Sequence, residues 1–562
     1  MSQSQYLEIE TIKTGLLVIG GGLAGCMAAI RASQLVGSDN VLLVDKSHVR
    51  RSGGAATGID HTWSYMPEVH RQMGFTIEQL VEDHVNAFGN LQDQDLIYEV
   101  AATISERIKE MESWGLPIKT GGEYDFIQKV HRVPTFLHWE GRDQKHLFAN
   151  QLAKLGIRTI NRVIVTELLK EGENVIGAIG LGVKEPKMYL FSAKAVVLAA
   201  AGVQRLYPGK GSLDFNRSGF TYASGDGIAM AYRIGAEMTN LEFLRLHSGP
   251  QNFCKSGRGT WIGVVEDANG EPIGNIRAVA DPKKMDLSVE SPLDMIKAYQ
   301  GGRGPIYMNC TDVSVEDIKY MRWGLMNEGN VLLLQYIDET GINLGSEKVE
   351  FTFYEPQLTG GVVINVKAET SVNGLFAAGD VAGNLKRGVS PGAYAMGWIA
   401  GESAAKYSLK QSSVDTRQFS GFISEKERFY NEVLSRKAGD TWQEASLACQ
   451  NVMNYYAGYE KYETLLNAGM AQLEKIRRRA LHTLAAKNMH ELMRCIEALN
   501  LMDVGEIAML CALERKETRS SKWGSLIRID YPETRQDMNK LLILSLKEGK
   551  PVFKWREPRT IL

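Results

Sequence analysis

Residues 20–25 read Gly-Gly-Gly-Leu-Ala-Gly, and the acid Asp45 stands twenty positions beyond Gly25. Glycines at 20, 22 and 25 have the G-x-G-x-x-G spacing of a turn that seats a dinucleotide. Gly20 permits the tight turn, Gly22 lets a pyrophosphate approach the backbone, and Gly25 lets the following helix pack closely on its strand. A helix opening at Leu23 and Ala24 aims its free amides and its positive dipole end at the phosphates. Asp45 can accept from ribose hydroxyls and disfavours a 2′-phosphate. The pattern leaves NAD and FAD both open.

Lys46 follows the acid, and then Ser52-Gly53-Gly54-Ala55-Ala56-Thr57-Gly58, too small and flexible for a packed helix start. It reads as backbone laid against a ligand, with a plain surface turn as the alternative. Two further places have a comparable character. Ala200-Ala201-Gly202 ends an apolar run, and Gly379-Asp380 ends another, just ahead of Ser390-Pro391-Gly392. A helix starting near Ser390 would bring a second positive dipole end to the same region.

The elements that must position these residues follow from periodicity. Apolar runs at 16–19 and 41–44 are short enough for buried parallel strands, joined by a helix over 23–35. Helical patterns cover 77–86 and 95–114, and another helix is expected over 138–151, carrying Arg142. Strand patterns at 163–169, 175–183 and 188–191 suggest an antiparallel meander, with a further strand over 194–202 returning to the core. Ser224-Gly225-Asp226 opens a helix to Ile234. Residues 249–354 break into short elements with glycine and proline punctuation, as an inserted domain would. The core pattern resumes at 360–364 and 373–380, and 393–407 is helical. Residues 419–513 are nearly continuous helix pattern, and periodicity does not place 519–562.

The chain has 562 residues and a formal charge of −2, with 44% hydrophobic and 23% charged residues. That length calls for two or more domains, and the near-neutral balance gives no footprint for nucleic acid. No run approaches the roughly 18 apolar residues of a membrane span. The first residues lack a basic and an apolar leader region, so a cytoplasmic location is expected. Cys26, Cys254, Cys310, Cys449, Cys495 and Cys511 are scattered without any C-x-x-C pair, which suits thiols in a reducing compartment and excludes the usual iron–sulfur ligand spacing.

TGLLVIGGGLAGCMAAI, DKSHVRRSGGAATGI, EMESWGLPI, SGDGIAMAYRIGAEMTNLEF, NGLFAAGDVAGN, KNMHELMR and ERKETRSSKWGSLIRIDYPE together resemble the fumarate reductase and succinate dehydrogenase flavoprotein family. The likeness is greatest to its adenylylsulfate reductase alpha-subunit branch. The resemblance implies an α/β fold class: a Rossmann-like FAD-binding domain in two parts, 1–248 and 355–410, an inserted α+β capping domain, 249–354, a C-terminal helical domain, 411–515, and a tail, 516–562. It implies FAD at Gly20, Gly22, Leu23, Ala24, Gly25, Asp45, Lys46, Ser52, Gly53, Gly54, Ala200, Ala201, Gly202, Asp226, Gly379, Asp380 and Ser390. Relatives that bind FAD covalently carry histidine in R-S-H-T. Here Arg51-Ser52-Gly53-Gly54 has glycine at that position, so the FAD is expected to be non-covalent. The tail resemblance implies a partner, a small ferredoxin-like iron–sulfur beta subunit.

The site departs from both branches. The fumarate reductase pattern E-F-x-x-x-H-P-T-G becomes Glu242-Phe243-Leu244-Arg245-Leu246-His247-Ser248-Gly249, which keeps His247 and loses Pro-Thr. The proton-donating arginine of R-G-E corresponds to Arg258-Gly259-Thr260, without the relay glutamate. The histidine before Met-Gly-Gly is missing from 355–361. The tryptophan and arginine that hold the nucleotide in adenylylsulfate reductases correspond to Gly219 or Phe220 and to Phe253. Arg387, close after Gly379-Asp380, suits a substrate carboxylate or sulfo group, or a salt bridge to the cap. His247 could bind an anion or move a proton, or be a satisfied core histidine. Arg142 reads as structural.

Three functions remain open: an FAD oxidoreductase acting on a small anionic substrate at an activated C=C bond, with Arg258, His247 and Arg387 at the site; sulfur-nucleophile chemistry at the flavin; and a non-catalytic electron-transfer flavoprotein.

Overall fold

The computed structural model describes residues 7–87, 89–127, 133–209, 223–246, 248–251, 261–273, 292–354, 356–385, 389–412, 415–521 and 524–561. The chain opens with β1 (Glu8–Ile19), α1 (Leu23–Val36) and β2 (Val41–Asp45). Every residue of β2, and Leu16–Ile19 of β1, is buried, as expected of parallel strands covered on both faces. They are followed by β3 (His61–Trp63), β4 (Phe136–His138), α2 (Gln144–Lys154), β5 (Arg158–Asn161), β6 (Val163–Glu171), β7 (Asn174–Gly182) and β8 (Lys187–Leu198). The main sheet runs β5-β2-β1-β8-β7-β6. Its first pairs are parallel, with Leu16 opposite Val41 on one side and Ala195 on the other. The β6-β7-β8 part is an antiparallel meander.

The separate strands expected at 188–191 and 194–202 are one strand of 12 residues. The first half of β8 pairs with β7 in the meander, and the second half pairs with a strand from far along the chain, Leu375–Ala377. A helix from 138 also gives way: His138 ends β4, opposite His61 of β3, and α2 begins at Gln144. Cross-strand pairing decides these cases, and a short local window does not contain it.

Next in order are α3 (Asp226–Arg233), β9 (Leu244–Arg245) and β10 (Ser248–Pro250), leading into the inserted unit. That unit has β11 (Val264–Glu266), β12 (Ile306–Asn309), α4 (Val315–Asn327), α5 (Val331–Thr340) and β13 (Val349–Phe353). Its core of Trp261, Val265, Met295, Ile306, Met308, Met321, Leu325 and Phe351 is separate from the main one. The chain returns through β14 (Gln357–Leu358). β9 pairs with β14 and β10 with β13, both antiparallel, so the unit hangs on a two-stranded crossing.

After β15 (Leu375–Ala377) comes α6 (Val389–Ser408), which lies directly on α1. A Cβ at Gly397 would stand 2.5 Å from the Ala24 carbonyl oxygen, and one at Gly401 2.2 Å from that of Ala28. The two helices run parallel in backbone contact. At 1.5 Å per residue, the start of α6 projects roughly 10 Å beyond the start of α1 on the same side.

The helical region resolves into α7 (Ser420–Ser435), α8 (Trp442–Tyr456), α9 (Glu463–Thr483) and α10 (Met489–Glu514). Thr441 and Glu444 form a capping box at the start of α8. Within the tail that periodicity did not place, Arg519–Ser521 pairs with Gly524–Arg528, and a hairpin follows, β16 (Leu541–Lys547) and β17 (Lys550–Arg556), in which Leu544 pairs with Met238 of the first part of the chain. Arg556 and Arg559 both reach Asp93, fastening the tail.

Buried charge joins α10 to the nucleotide fold. Lys46 Nζ lies 2.6 Å from Glu497, 2.7 Å from Asp226 and 3.0 Å from Ser224 Oγ. Glu497 also takes Arg205 at 2.7 Å and Arg494 at 2.8 Å, while Asn500 donates to Asp226 at 2.8 Å. Burial pushes the Glu497 carboxyl up, but Lys46, Arg205 and Arg494 outweigh it and hold the group down at about 2. Its ionised form thus stabilises the fold above its unfolded value of about 4.3, and that stabilisation is lost as the pH falls through the folded value. Glu497→Gln, which strands buried cations, should cost about 3 to 5 kcal/mol near neutrality. Denaturant unfolding of both proteins should show the gap closing between roughly pH 4.5 and pH 2; a gap constant over that interval would remove Glu497 from the acid transition.

Candidate active site

The glycine turn is closed to side chains from several directions. Gly20 has φ +104°, and a Cβ there would fall 2.3 Å from the Ala199 carbonyl oxygen. A Cβ at Gly25 would fall 1.8 Å from the Gly20 carbonyl oxygen, so the helix and its strand touch through backbone. Gly22 is the N-cap of α1 and makes no side-chain cap. Facing it across the turn is Gly53, φ +90°, whose Cβ would lie 2.7 Å from Gly22 Cα. Leu23 and Ala24 bury their side chains, leaving backbone amides as what they can present.

Asp45 is held under the turn. Its Oδ2 accepts from Gly21 N at 2.6 Å and its Oδ1 from Ser47 N at 2.7 Å, while Ser52 Oγ donates to the Gly21 carbonyl at 2.8 Å. Each carboxylate oxygen retains a lone pair for a further donor such as a ribose hydroxyl. Glycines that accept no methyl, a helix start without a cap and an acid beside it fit the adenosine and pyrophosphate of FAD.

The other expected residues converge on the same side of the sheet. Gly379, φ +77°, would place a Cβ 3.0 Å from that of Ala24, and Gly202 would place one 3.3 Å from the Asp380 carbonyl oxygen. Ala201 is one of the described non-glycine residues with positive φ, +60°. Ala200, Ala201, Gly202 and Asp380 are half-buried, and Gly54 is exposed. Ser390 is buried in the first turn of α6, with its hydroxyl 3.1 Å from that of Thr62 on β3. Ser390 and α1 are thus linked by the same helix contact that staggers the two starts.

Lys46 and Asp226 are joined to each other and to α10. An ammonium has three N–H donors, and Asp226, Glu497 and Ser224 accept from it. The two residues thereby tie the end of β2 to the start of α3.

The inserted unit closes on β3 and β4. A Cβ at Gly58 would fall 2.1 Å from the Asn327 carbonyl oxygen at the end of α4. Tyr320 on α4 hydrogen-bonds His138 and stacks on it with ring centroids 5.4 Å apart; Trp323 stacks on the same imidazole at 6.0 Å. His61 pairs with Asp60 through Nδ1. Sequence reasoning missed Asp60, His61 and His138; the available signal was an acid and a histidine immediately after the glycine-rich stretch. Arg142 is exposed, beside Met326. Arg258, His247 and Arg387, with Gly219, Phe220 and Phe253, lie outside the described residues.

No helix among the described residues is long and apolar enough to cross a membrane. The FAD binding domain family profile matches residues 15–394, and that of the fumarate reductase flavoprotein C-terminal domain matches 446–559. A fumarate reductase (CoM/CoB) chain of Methanothermobacter marburgensis is 24% identical over 96% of this chain and 98% of its own. Adenylylsulfate reductase of Archaeoglobus fulgidus is similar in structure, with a TM-score of 0.85 at 22% identity over 100% of this chain and 98% of that one. Quinol fumarate reductase of E. coli has a TM-score of 0.82 at 18% identity over 98% of both chains. With a cradle that fits the adenosine half of FAD and a second helix start staggered beyond it, the chain belongs to the FAD-binding flavoproteins of the fumarate reductase family and is an FAD-dependent oxidoreductase.

Proposed function

We propose that this chain is the flavoprotein subunit of a two-component cytoplasmic enzyme that reduces an activated C=C bond in a small anionic substrate. The observation that carries the reading is the hinge. The crossing strands β9 and β10 flank His247 in sequence, and Arg258 follows between Pro250 and Trp261, so both candidates belong to the segment joining the nucleotide fold to its cap. Arg387 stands two residues before α6 begins. In sequence, the candidate anion-binding and proton-donating residues thus lie between the strands that lead into the cap and just ahead of α6.

FAD, when bound, supplies the two-electron chemistry. The chain's own groups hold the substrate and manage its proton. Arg387 and His247 bind the anion and stabilise charge that moves onto it during reduction. Arg258 delivers a proton to the substrate carbon that gains carbanion character. Arginine is a weak acid, with a reference pKa of about 12.5 or higher, yet a carbanion is a far stronger base than a carboxylate. A positioned general acid contributes on the order of 100-fold to 10,000-fold.

The FAD is held without a covalent bond, because any side chain at 53, where covalent relatives carry histidine, would collide with Gly22. Precipitation with acid should leave the yellow chromophore in the supernatant, and a yellow pellet would refute this. Electrons reach the flavin from a ferredoxin-like iron–sulfur subunit. Cys26, Cys310, Cys449, Cys495 and Cys511 are buried free thiols, so among the described cysteines no cluster is assembled in this chain. Protein purified from its own host should carry iron in a second polypeptide; an iron-free preparation reduced directly by pyridine nucleotide would argue against the partner.

Reoxidation of the photoreduced protein should be fast with one member of a panel of unsaturated acids and slow with sulfonates, sulfite or adenylylsulfate. Arg258→Lys should lower turnover about 100-fold or more with little loss of flavin or substrate binding, whereas Arg387→Ala should chiefly raise KM. Near-normal turnover in Arg258→Ala would remove the proton-donor assignment and bring sulfur-nucleophile chemistry forward.

A further inference from the structure

Lys145, the second residue of α2, is a buried cation that no acid meets. It is 1% exposed, and its ammonium donates to the Val49 carbonyl and to Cys26 Sγ, the latter at 3.3 Å. Both acceptors are neutral: burial pushes the Cys26 thiol up against the opposing pull of Lys145, so the sulfur keeps its proton. These are its polar contacts, and among the described residues Lys145 forms no ion pair. An ammonium taken out of water without a counter-charge is costly, and the cost is relieved when an anion binds within its field.

Its place is fixed from three sides. Cys26 lies at the start of α1, and its thiol donates to the Gly21 carbonyl at 3.4 Å, so the ammonium stands one sulfur atom behind the glycine turn. Val49 belongs to the loop that runs from Asp45 to Ser52 and Gly53, and Ser52 Oγ binds the same Gly21 carbonyl. Gln144, next to Lys145, accepts from the Tyr394 hydroxyl of α6 at 2.7 Å, which pins the first turn of α2 to the second helix of the cradle as well.

Charge at the turn is otherwise unbalanced. The pyrophosphate of FAD brings two negative charges to a place that already holds Asp45, whose oxygens are fixed by Gly21 N and Ser47 N. The start of α1 offers about half a positive charge. Lys46 is committed to Asp226 and Glu497, and Arg50 and Arg51 of the same loop are exposed to solvent.

We propose that Lys145 is the fixed counter-charge for the FAD pyrophosphate, acting from beneath the glycine turn. At 1% exposure it does not line the pocket, so it acts by its field and not by contact. The tether to Val49 aims it, and burial keeps that field from being screened by salt. The chain without cofactor carries an unpaired cation that FAD neutralises, so cofactor capture depends on a residue that no glycine spacing reveals.

Flavin fluorescence recovered on dilution of the holoenzyme gives the dissociation constant for FAD. Lys145→Gln, which keeps a donor for Val49 and removes the charge, should raise that constant at least tenfold, and Lys145→Met should raise it by a similar factor. In the Asp45→Asn background Lys145→Gln should still weaken FAD at least tenfold. Urea unfolding of the deflavinated chains should show Lys145→Met no less stable than the wild type, because an apolar side chain replaces a buried ion. Wild-type affinity in Lys145→Gln would leave only the tether to Val49, and loss of the effect in the Asp45→Asn background would assign Lys145 to Asp45. A deflavinated Lys145→Met that is less stable, or that does not fold, would make the residue structural; each of these results would overturn the proposal.

Discussion

The backbone contact between α1 and α6 is the constraint on which the rest depends. Gly397 and Gly401 meet the carbonyls of Ala24 and Ala28 at distances that admit no methyl group. Such a contact fixes both the separation and the axial offset of the helices, because sliding by one residue would drive Cβ atoms into carbonyl oxygens. Two positive helix starts are then held side by side and staggered. The first faces the glycine turn at residues 20–25, and the second has Ser390 of its first turn beside β3. An extended dinucleotide has one end for each.

Behind that cradle, the protein spends buried charge on rigidity. Lys46 next to Asp45 would be an obvious hand for a phosphate, yet Asp226, Glu497 and Ser224 accept its protons. Desolvating five charged groups is expensive and returns little net stability relative to well-packed apolar residues. What the arrangement supplies is specificity of position: the end of β2, the start of α3 and the middle of α10 must meet in one way for every charge to be paired. The helical domain is thereby fastened to the nucleotide fold through α10.

What the sequence made legible was local. The glycine spacing, Asp45, the apolar strands and the helical stretches are set within a few residues, and the structure has them. The inserted unit showed in its punctuation, and it has its own core. The misses are all cases of distant pairing. β8 is one strand because β1 pairs along its whole length while β7 and Leu375–Ala377 share its other edge; His138 lies in a strand because His61 lies opposite; the hairpin of the tail docks on Met238 and Thr239. The ion pairs that Lys46 makes with Asp226 and Glu497 were equally out of reach, since these partners lie 180 and 451 residues further along the chain.

The cap's geometry also constrains how the site can work. Its separate core lets it move as a rigid body, and the crossing of β9 with β14 and β10 with β13 leaves rotation about that two-stranded connection as its easiest motion. Seating at the far end is backbone on backbone, Asn327 against Gly58, with Tyr320 and Trp323 laid flat on His138. Flat aromatic faces release and re-form contact without interlocking, whereas the Gly58 contact has only one close fit. The cap thus meets the nucleotide fold through two kinds of contact, stacked rings that tolerate sliding and a backbone approach that does not.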